Sequence, residues 1–152
     1  MRPHLAHLAG FCLLRTMATR TQTSVAVGVD LGGTTFAVGL VTRAGEMLTR
    51  QEYPTPRAER EPAAVLAAVA AVQGVLESAA IKPGQVVGVG VGIPGPIDPQ
   101  TGVIHQCPNM HELDGVNVVE LMSGALGLPV SIGNDAYCAT LAELRYGAGR
   151  DV

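Results

Sequence analysis

The residue types with the clearest chemical use stand together early in the chain, where Asp30 follows an apolar run and precedes Gly32, Gly33, Thr34 and Thr35. Glycines permit positive φ and let an anion approach backbone amides, hydroxyls add donors, and a carboxylate at a strand end can hold magnesium through its water shell. This combination predicts a site for the phosphates of a nucleotide. A plain hairpin turn that contains two glycines is the alternative.

A second polar pair, Asn134 and Asp135, stands immediately before a stretch with helical spacing. A helix N-cap accounts for one of these residues but does not require both. The helix dipole and the free amides favour a carboxylate at this position, so Asp135 could accept a hydrogen bond and a proton from a substrate hydroxyl. The pair therefore predicts either a simple cap or a cap beside a proton acceptor.

Two loops carry further candidates for substrate contacts. In the stretch 92–98, Pro94 fixes φ and Gly95 supplies a turn conformation, which predicts backbone groups held beside a cleft or only a rigid connector. Asn109 lies in a later loop. Its amide donates and accepts hydrogen bonds, which suits a sugar hydroxyl, although an asparagine that caps a loop is as common.

The hydrophobic pattern predicts the strands that position these residues. Segments bounded by turns, most of them apolar, predict strands at 25–29, 36–41, 46–53, 86–92, 103–105 and 129–132. The first three strands form a meander. Glycine occupies every second position of 86–92, which predicts that a helix or a ligand comes close to that face.

Helical spacing predicts three helices. The first begins at Pro62, stops at 82–84 and has a core-facing stripe made by Val65, Val69, Val72 and Leu76. The second spans 116–126, with Asn117 or Asp114 near its start and Gly127 at its end. The third spans 136–146 and has one apolar face, made by Tyr137, Leu141 and Leu144.

Composition limits the classes of function. The chain has 152 residues, 47% of them hydrophobic and 15% charged, which is enough for one globular domain with a core. The net charge of -3 and the lack of any basic run argue against nucleic acid as a partner. Three dispersed cysteines predict free thiols in a reducing cytoplasm, and no apolar run reaches the ~18 to 20 residues needed to cross a membrane.

Three motifs, in this order and spacing, resemble those of the ROK family of sugar kinases and related repressors, closest to the glucokinase-like members. They are Asp30-Leu-Gly-Gly-Thr-Thr, Gly92-Ile-Pro-Gly-Pro-Ile-Asp, and Gly133-Asn-Asp-Ala-Tyr-Cys-Ala-Thr-Leu-Ala-Glu. The resemblance implies an α/β lobe of the ribonuclease-H or actin-like ATPase type, with a five-stranded mixed sheet and flanking helices. It also implies ATP-dependent phosphorylation of a hexose, most simply glucose to glucose 6-phosphate.

The resemblance also assigns roles to residues. Asp135 is the expected catalytic base, and Gly95, Asn109 and Asn134 are expected to contact the sugar, with Asp98 as a turn residue. The expected cofactors are ATP, held by residues 32–35, and magnesium, held by Asp30 through water. A second glycine-rich phosphate motif, a structural zinc site and the adenosine pocket are expected only in a C-terminal lobe beyond residue 152.

The domain prediction places an unstructured or misannotated extension at 1–24, with Met17 as the possible true start, and the N-terminal lobe of the kinase at 25–152. The chain is then a fragment or the product of a truncated gene, inactive by itself. The full-length protein is expected to be a cytoplasmic homo-oligomer. A non-catalytic sugar sensor of the same fold is the main alternative, and a nucleotide-binding or assembly module is another.

Overall fold

The computed structural model describes residues 24–58, 62–98 and 100–151, so nearly all of the predicted extension at 1–24 lies outside the described residues. Five strands form one mixed sheet in the order β3-β2-β1-β4-β5. The first three are antiparallel neighbours, whereas β1, β4 and β5 run parallel to one another. The strands are β1 Val25–Leu31, β2 Thr35–Thr42, β3 Met47–Pro54, β4 Val86–Ile93 and β5 Val130–Asn134. The predicted five-stranded mixed sheet is confirmed.

One face of the sheet, the closed face, is built from side chains such as those of Val27, Leu40 and Val91. Helices α1 (Ala63–Ser78) and α2 (Val118–Leu126) contribute to the same buried cluster. The predicted α1 stripe is confirmed, because all four of its residues are buried. Helix α1 ends before the predicted stop, at Ser78, and Pro83–Gln85 form a separate 3-10 turn.

Side chains alternate between the two faces along each strand. The residues of β1, β2 and β4 that point to the opposite face, called the open face, are mostly small. Strand register places Gly28 beside Gly90 and Asp30 beside Gly92 on this face. Helix α3 (Asp135–Tyr146) follows β5 and contacts β4 and β5, yet it has no buried residue. Its predicted apolar face at Tyr137, Leu141 and Leu144 is 47 to 62% exposed. Within the described ranges, no helix or strand covers this apolar face of α3.

Two local predictions were wrong. Residues 103–105 do not form a strand, because Val103 and Ile104 bridge to two separate segments, at Asn117 and Ile97. Helix α2 begins two residues later than predicted, where the Asn117 side chain accepts a hydrogen bond from the amide of Glu120 at 3.0 Å. Gly127, at φ +64°, ends it as predicted. None of the helices in the described ranges combines the length and apolarity that crossing a membrane requires.

Candidate functional site

The turn between β1 and β2, residues 32–34, is called the Gly-Gly turn. Its glycines were expected to adopt positive φ, and that expectation was wrong, because neither is among the residues with positive φ. Close contacts with neighbouring atoms explain the two glycines instead. A Cβ on Gly32 would lie 2.7 Å from the Thr35 carbonyl oxygen, and one on Gly33 would lie 3.0 Å from the Cβ of Asn109.

The Gly-Gly turn leaves donors free. The amide of Gly32 donates to the Thr35 carbonyl at 3.2 Å, but the amides of Gly33 and Thr34 find no acceptor in the part of the chain that the structure describes. The side chains of Thr34 and Thr35 are exposed. Free amides and hydroxyls of this kind suit an anion such as a phosphate.

Asp30 is exposed near the end of β1, and its carboxylate accepts no hydrogen bond from the described residues. Those residues contain no cluster of three or more His, Cys, Asp or Glu that could hold a metal ion. Magnesium typically takes only one or two carboxylates together with water and substrate phosphates. A single free carboxylate near the Gly-Gly turn fits that donor set, whereas it does not fit an all-protein metal cage.

The start of α3 resolves the choice between Asn134 and Asp135 as the N-cap. Asn134 is the cap, since its Oδ1 accepts from the amide of Tyr137 at 3.2 Å. Its Nδ2 donates to the Gly95 carbonyl at 3.3 Å and so ties α3 to the turn at 92–98. Asp135 is therefore not needed as the cap. Among the described residues, its Oδ1 accepts a hydrogen bond only from the amide of Ala136, at 2.7 Å.

Gly92 lies beside the backbones of both Asp30 and Asp135. It is the register partner of Asp30 on β4, and a Cβ on it would lie 3.6 Å from the Cα of Asp135. The prediction that a helix comes close to the glycine-rich face of β4 is confirmed at this position. Asp30 and Asp135 both line an open groove of about 790 Å³ on the open face.

Cys138 of α3 also lines this groove. Burial raises the pKa of its thiol, and the negative charges of Asp135 and Asp30 add to the increase. The raised pKa favours the neutral thiol over the more nucleophilic thiolate. Cys138 is a free thiol, as predicted, but it is only half-buried.

Gly95 has the unusual backbone that its sequence predicts, with φ +104°. A Cβ there would collide with the Gln106 carbonyl and lie 3.0 Å from Pro108 Cδ. The loop that contains Asn109 therefore packs on Gly95 at one end and on Gly33 at the other. Asn109 itself is exposed and has φ +69°, a conformation that asparagine tolerates better than most residues.

A buried cysteine and an aspartate hold this loop. The amide of Cys107 donates to Asp114 Oδ1 at 2.6 Å, and its Sγ lies 3.5 Å from the Pro94 carbonyl oxygen. Burial, followed by the charge of Asp114, raises the pKa of Cys107 to about 11. Asp114 was a candidate for the start of α2, but its carboxylate instead accepts the hydrogen bond from the amide of Cys107.

The structure does not gather every predicted residue into one pocket. The groove contains Asp30 and Asp135, but its lining excludes the Gly-Gly turn, Gly95, Asn109 and Asn134. Asp98 is a turn residue, as predicted, and accepts from the amide of Gln100 at 2.8 Å. That bond and contacts with Thr101 lower the pKa of Asp98.

Sequence reasoning missed two residues, Thr55 and Arg57, which hydrogen-bond to the Gly-Gly turn. The available signal was a threonine placed between Pro54 and Pro56, directly after the third predicted strand. Two prolines restrict the backbone around that threonine.

Comparisons with known proteins agree with this arrangement. The glucokinase of Thermotoga maritima is 35% identical over 125 residues, which are 82% of this chain and 38% of that protein. A ROK family glucokinase from Streptomyces griseus, solved with glucose and AMPPNP, superposes with a TM-score of 0.73 at 32% identity. That alignment covers 83% of this chain and 38% of the other.

A transcription factor also matches. The DNA-binding transcriptional dual regulator NagC of Escherichia coli is 27% identical over 138 residues, which are 90% of this chain and 33% of the regulator. The chain spans 37 to 38% of the length of the glucokinases that it matches. The solved kinases share the predicted actin-like ATPase fold. Since the ROK family model matches residues 26–152, the chain belongs to the ROK family.

Proposed function

We propose that this chain is the N-terminal lobe of an ATP-dependent hexose kinase and that glucose, phosphorylated on O6, is the acceptor. One observation carries the proposal: Asn134 caps α3, which leaves Asp135 available at the groove that it shares with Asp30. The likeness to a glucokinase solved with glucose and AMPPNP supports the same pair of substrates.

On the sugar side, Asn134, Asn109 and Gly95 hold hydroxyl groups. Asn134 Nδ2 carries two N–H groups and donates one to the Gly95 carbonyl, so the second remains for the sugar. Asn109 is exposed and lies beside the Gly-Gly turn. Asp135 is the acceptor for the proton of the attacking hydroxyl.

On the donor side, the free amides of Gly33 and Thr34 and the hydroxyls of Thr34 and Thr35 bind phosphate oxygens. Gly32 lets the turn close tightly enough to present them. Asp30 holds magnesium through water, and bound magnesium neutralises charge on the phosphates. This set supplies the positioning and charge stabilisation on which phosphoryl transfer mostly depends.

In the proposed step, the O6 oxygen of glucose forms a bond to the γ-phosphorus of ATP. The bond between that phosphorus and the oxygen bridging to the β-phosphate breaks, and ADP leaves. The hydroxyl proton goes to Asp135. The products are glucose 6-phosphate and ADP, and the residues of this lobe act by orienting the hydroxyl and accepting its proton.

The active protein is proposed to need the length that its relatives have beyond this lobe, and to work as a cytoplasmic homo-oligomer. An open half-site leaves the reactants solvated on one side. The 152 residues alone should therefore show no glucose-dependent ATP consumption in a coupled assay. Ordinary kinase turnover from these residues would contradict the two-lobe proposal.

A non-catalytic sugar sensor is the second candidate, and the match to NagC over 90% of this chain favours it. A sensor needs the hydrogen bonds of Asp135 but not its ability to accept a proton. The same residue therefore separates the two functions.

The experiment is Asp135→Asn in the full-length protein. Asparagine keeps the size and much of the hydrogen bonding but removes the proton acceptor, so turnover should fall by ~10² to 10⁴-fold, while glucose affinity and melting temperature change little. Asp98→Asn is the matched control, because Asp98 also accepts backbone amides but lies in a turn. Near-normal turnover of Asp135→Asn would exclude Asp135 as the base.

A further inference from the structure

The turn between β2 and β3 meets the C-terminal end of α3, although the residues that touch there lie 103 positions apart in the sequence. Gly45 of this turn has φ +86°, and a Cβ on it would collide with the ring of Tyr146. The Tyr146 hydroxyl donates to the Arg43 carbonyl at 3.5 Å. Glycine at position 45 thus leaves the space in which the tyrosine ring packs, and this packing brings Arg43 beside the end of α3.

An open cavity of about 700 Å³, called the arginine cavity, lies at this junction. Its walls include Leu144 and Tyr146, and its charged residues are Arg43, Arg145 and Arg150. The described residues contain six Lys and Arg residues, so half of them line this one cavity, and none of the described Asp or Glu residues lines it. Because the whole chain has a net charge of -3, this local excess of positive charge favours an anion at one place rather than along a basic surface.

The three guanidinium groups keep donors available. Among the described residues, none of the three forms an ion pair with a carboxylate, and the side chains of Arg43 and Arg150 donate no hydrogen bond. The Nε of Arg145 donates to the Tyr146 hydroxyl at 3.4 Å, and its guanidinium carbon lies 5.8 Å from the centre of the tyrosine ring. A cation over an aromatic ring is attracted to it. Tyr146 therefore holds Arg145 in place while both Nη groups of Arg145 stay free.

The dipole of α3 offers a simpler explanation for part of this cluster, because it favours positive charge in the last helical turn and just beyond it. That explanation covers Arg145 and Arg150. It does not cover Arg43, which belongs to the turn after β2. Glu143, in the last turn of α3, does not pair with these arginines, since its Oε2 instead accepts a hydrogen bond from the amide of Ala148 at 2.9 Å. The dipole thus accounts for two of the three arginines.

The arginine cavity is separate from the groove that contains Asp30 and Asp135, although Leu141 lines both. Arg145 lies ten residues after Asp135 on α3, which is about 15 Å along a helix axis. The groove carries two carboxylates, which repel an anion, whereas the cavity carries three guanidinium groups. The charges of the two sites therefore direct a free anion to the cavity.

We propose that the arginine cavity binds a small phosphate monoester, at a site distinct from those of both substrates of the proposed kinase reaction. A phosphate monoester has three terminal oxygens and about 1.5 to 2 negative charges at pH 7, and guanidinium forks match such oxygens. A carboxylate has only two oxygens and one charge, so it would leave one of the three arginines without a partner. Tyr146 and Leu144 form the wall for the rest of the molecule, and the volume of the cavity lies in the range of small-molecule sites.

Phenyl phosphate is the probe, because it joins a phosphate monoester to an apolar ring and is neither a substrate nor a product of the proposed reaction. It is added to the ¹⁵N-labelled 152-residue chain while the amide signals are followed by NMR. The amides of Ala44 and Tyr146 should shift, and those of Asn134 and Asp135 should not. A shift confined to Asn134 and Asp135, or no shift in the millimolar range, would overturn the proposal.

Inorganic phosphate separates the two sources of the same anion. It should shift the same two amides but bind several-fold more weakly than phenyl phosphate, since it has no apolar group to pack on the wall of the cavity. Equal affinity for the two ligands would overturn the assignment to a monoester.

Arg43→Gln is the decisive variant, because Arg43 is the arginine that the helix dipole does not explain. Phenyl phosphate should bind roughly tenfold more weakly, as expected for a lost charge-assisted hydrogen bond. Arg43→Lys should recover only part of the loss, since an ammonium lacks the fork of a guanidinium. Lys82→Gln is the matched control, because it removes the same charge from an exposed residue outside the cavity. An equal loss in that control would show only a general attraction of anions to the chain and would overturn the site.

A hexaglutamate peptide tests the competing class of ligand, an acidic protein segment. At equal concentration it should shift the amides of Ala44 and Tyr146 less than phenyl phosphate does. If the peptide binds more tightly than phenyl phosphate, the cavity is an interface for an acidic segment and the phosphate proposal is wrong. None of these measurements uses turnover, so the failure of this proposal and the failure of the kinase proposal are seen independently.

Discussion

The two faces of the sheet share five strands but differ in what their side chains do. The closed face is made of valine, leucine and isoleucine, buried under α1 and α2. The open face presents glycines and Asp30, and α3 beside it has no buried residue. Because side chains alternate between the two faces along each strand, the same strands can form a packed core on one face and carry polar groups on the other. Substitutions should therefore have different consequences on the two faces.

The largest effect is expected on the closed face. Leu40 is fully buried on β2, and Leu40→Ala should lower the free energy of unfolding by ~2 to 5 kcal/mol, from lost apolar burial and the cavity left behind. Urea denaturation followed by circular dichroism measures it. A loss below about 1 kcal/mol would mean that this face is not the packed core.

A pH series tests how far the closed core extends into the loop at Cys107. Because burial raises its folded pKa to about 11, from an ordinary 9.0, the neutral thiol stabilises the fold below pH 9. That contribution should be lost as the pH rises from 9 to 11, since only the unfolded chain then releases the proton. Cys107→Ala should flatten this part of the stability curve. Parallel curves for the two proteins would show that the thiol titrates normally.

A smaller effect is expected on α3. Leu141→Ala should cost less than about 1 kcal/mol in the 152-residue chain, because the side chain is 47% exposed. Measured beside Leu40→Ala, it gives the contrast between the faces for the same change in side chain. A cost similar to that of Leu40→Ala would show that the α3 face is covered in solution.

The smallest effect belongs to Gly28 on the open face. A Cβ there would have no heavy atom within 4 Å, so Gly28→Ala should be neutral or stabilise the fold by ~0.5 to 1 kcal/mol through the unfolded chain. Gly102→Ala is the contrasting variant, because Gly102 has φ +76° and its Cβ would lie 2.5 Å from Val119. Thermal melts of the two variants should shift in opposite directions, and a marked fall in melting temperature for Gly28→Ala would contradict an open face.

Sequence patterns alone predicted the five strands that form the sheet, the α1 stripe and the turn at Gly95, because each depends on residues close together in the chain. The mixed five-stranded sheet itself was implied by the family resemblance. The error at 103–105 arose because its backbone bonds go to two distant segments. The Gly-Gly turn was located correctly, but the positive φ expected of its glycines was wrong. The contact between Gly33 and Asn109 could not be predicted, because it depends on tertiary structure. Thr55 was missed for the same reason, as its acceptor lies 23 residues away.

For the site itself, sequence placed Asp30 and Asp135 on strands and helices that the structure brings to one groove. It could not decide which of Asn134 and Asp135 caps α3, because both residue types cap helices well. Only the hydrogen bond from the amide of Tyr137 to Asn134 settles that assignment.

The strand order also predicts the order in which the strands pair during folding. Strands β1 to β3 are joined by short turns, so their pairing closes only small loops and should come early. The central strand β1 must then wait for β4, which arrives only after α1 has been made. Until that moment β1 has one unpaired edge and an uncovered row of valines. We expect the nascent chain to be most prone to aggregation in this interval, and the parallel β1–β4 pairing to limit the rate of folding.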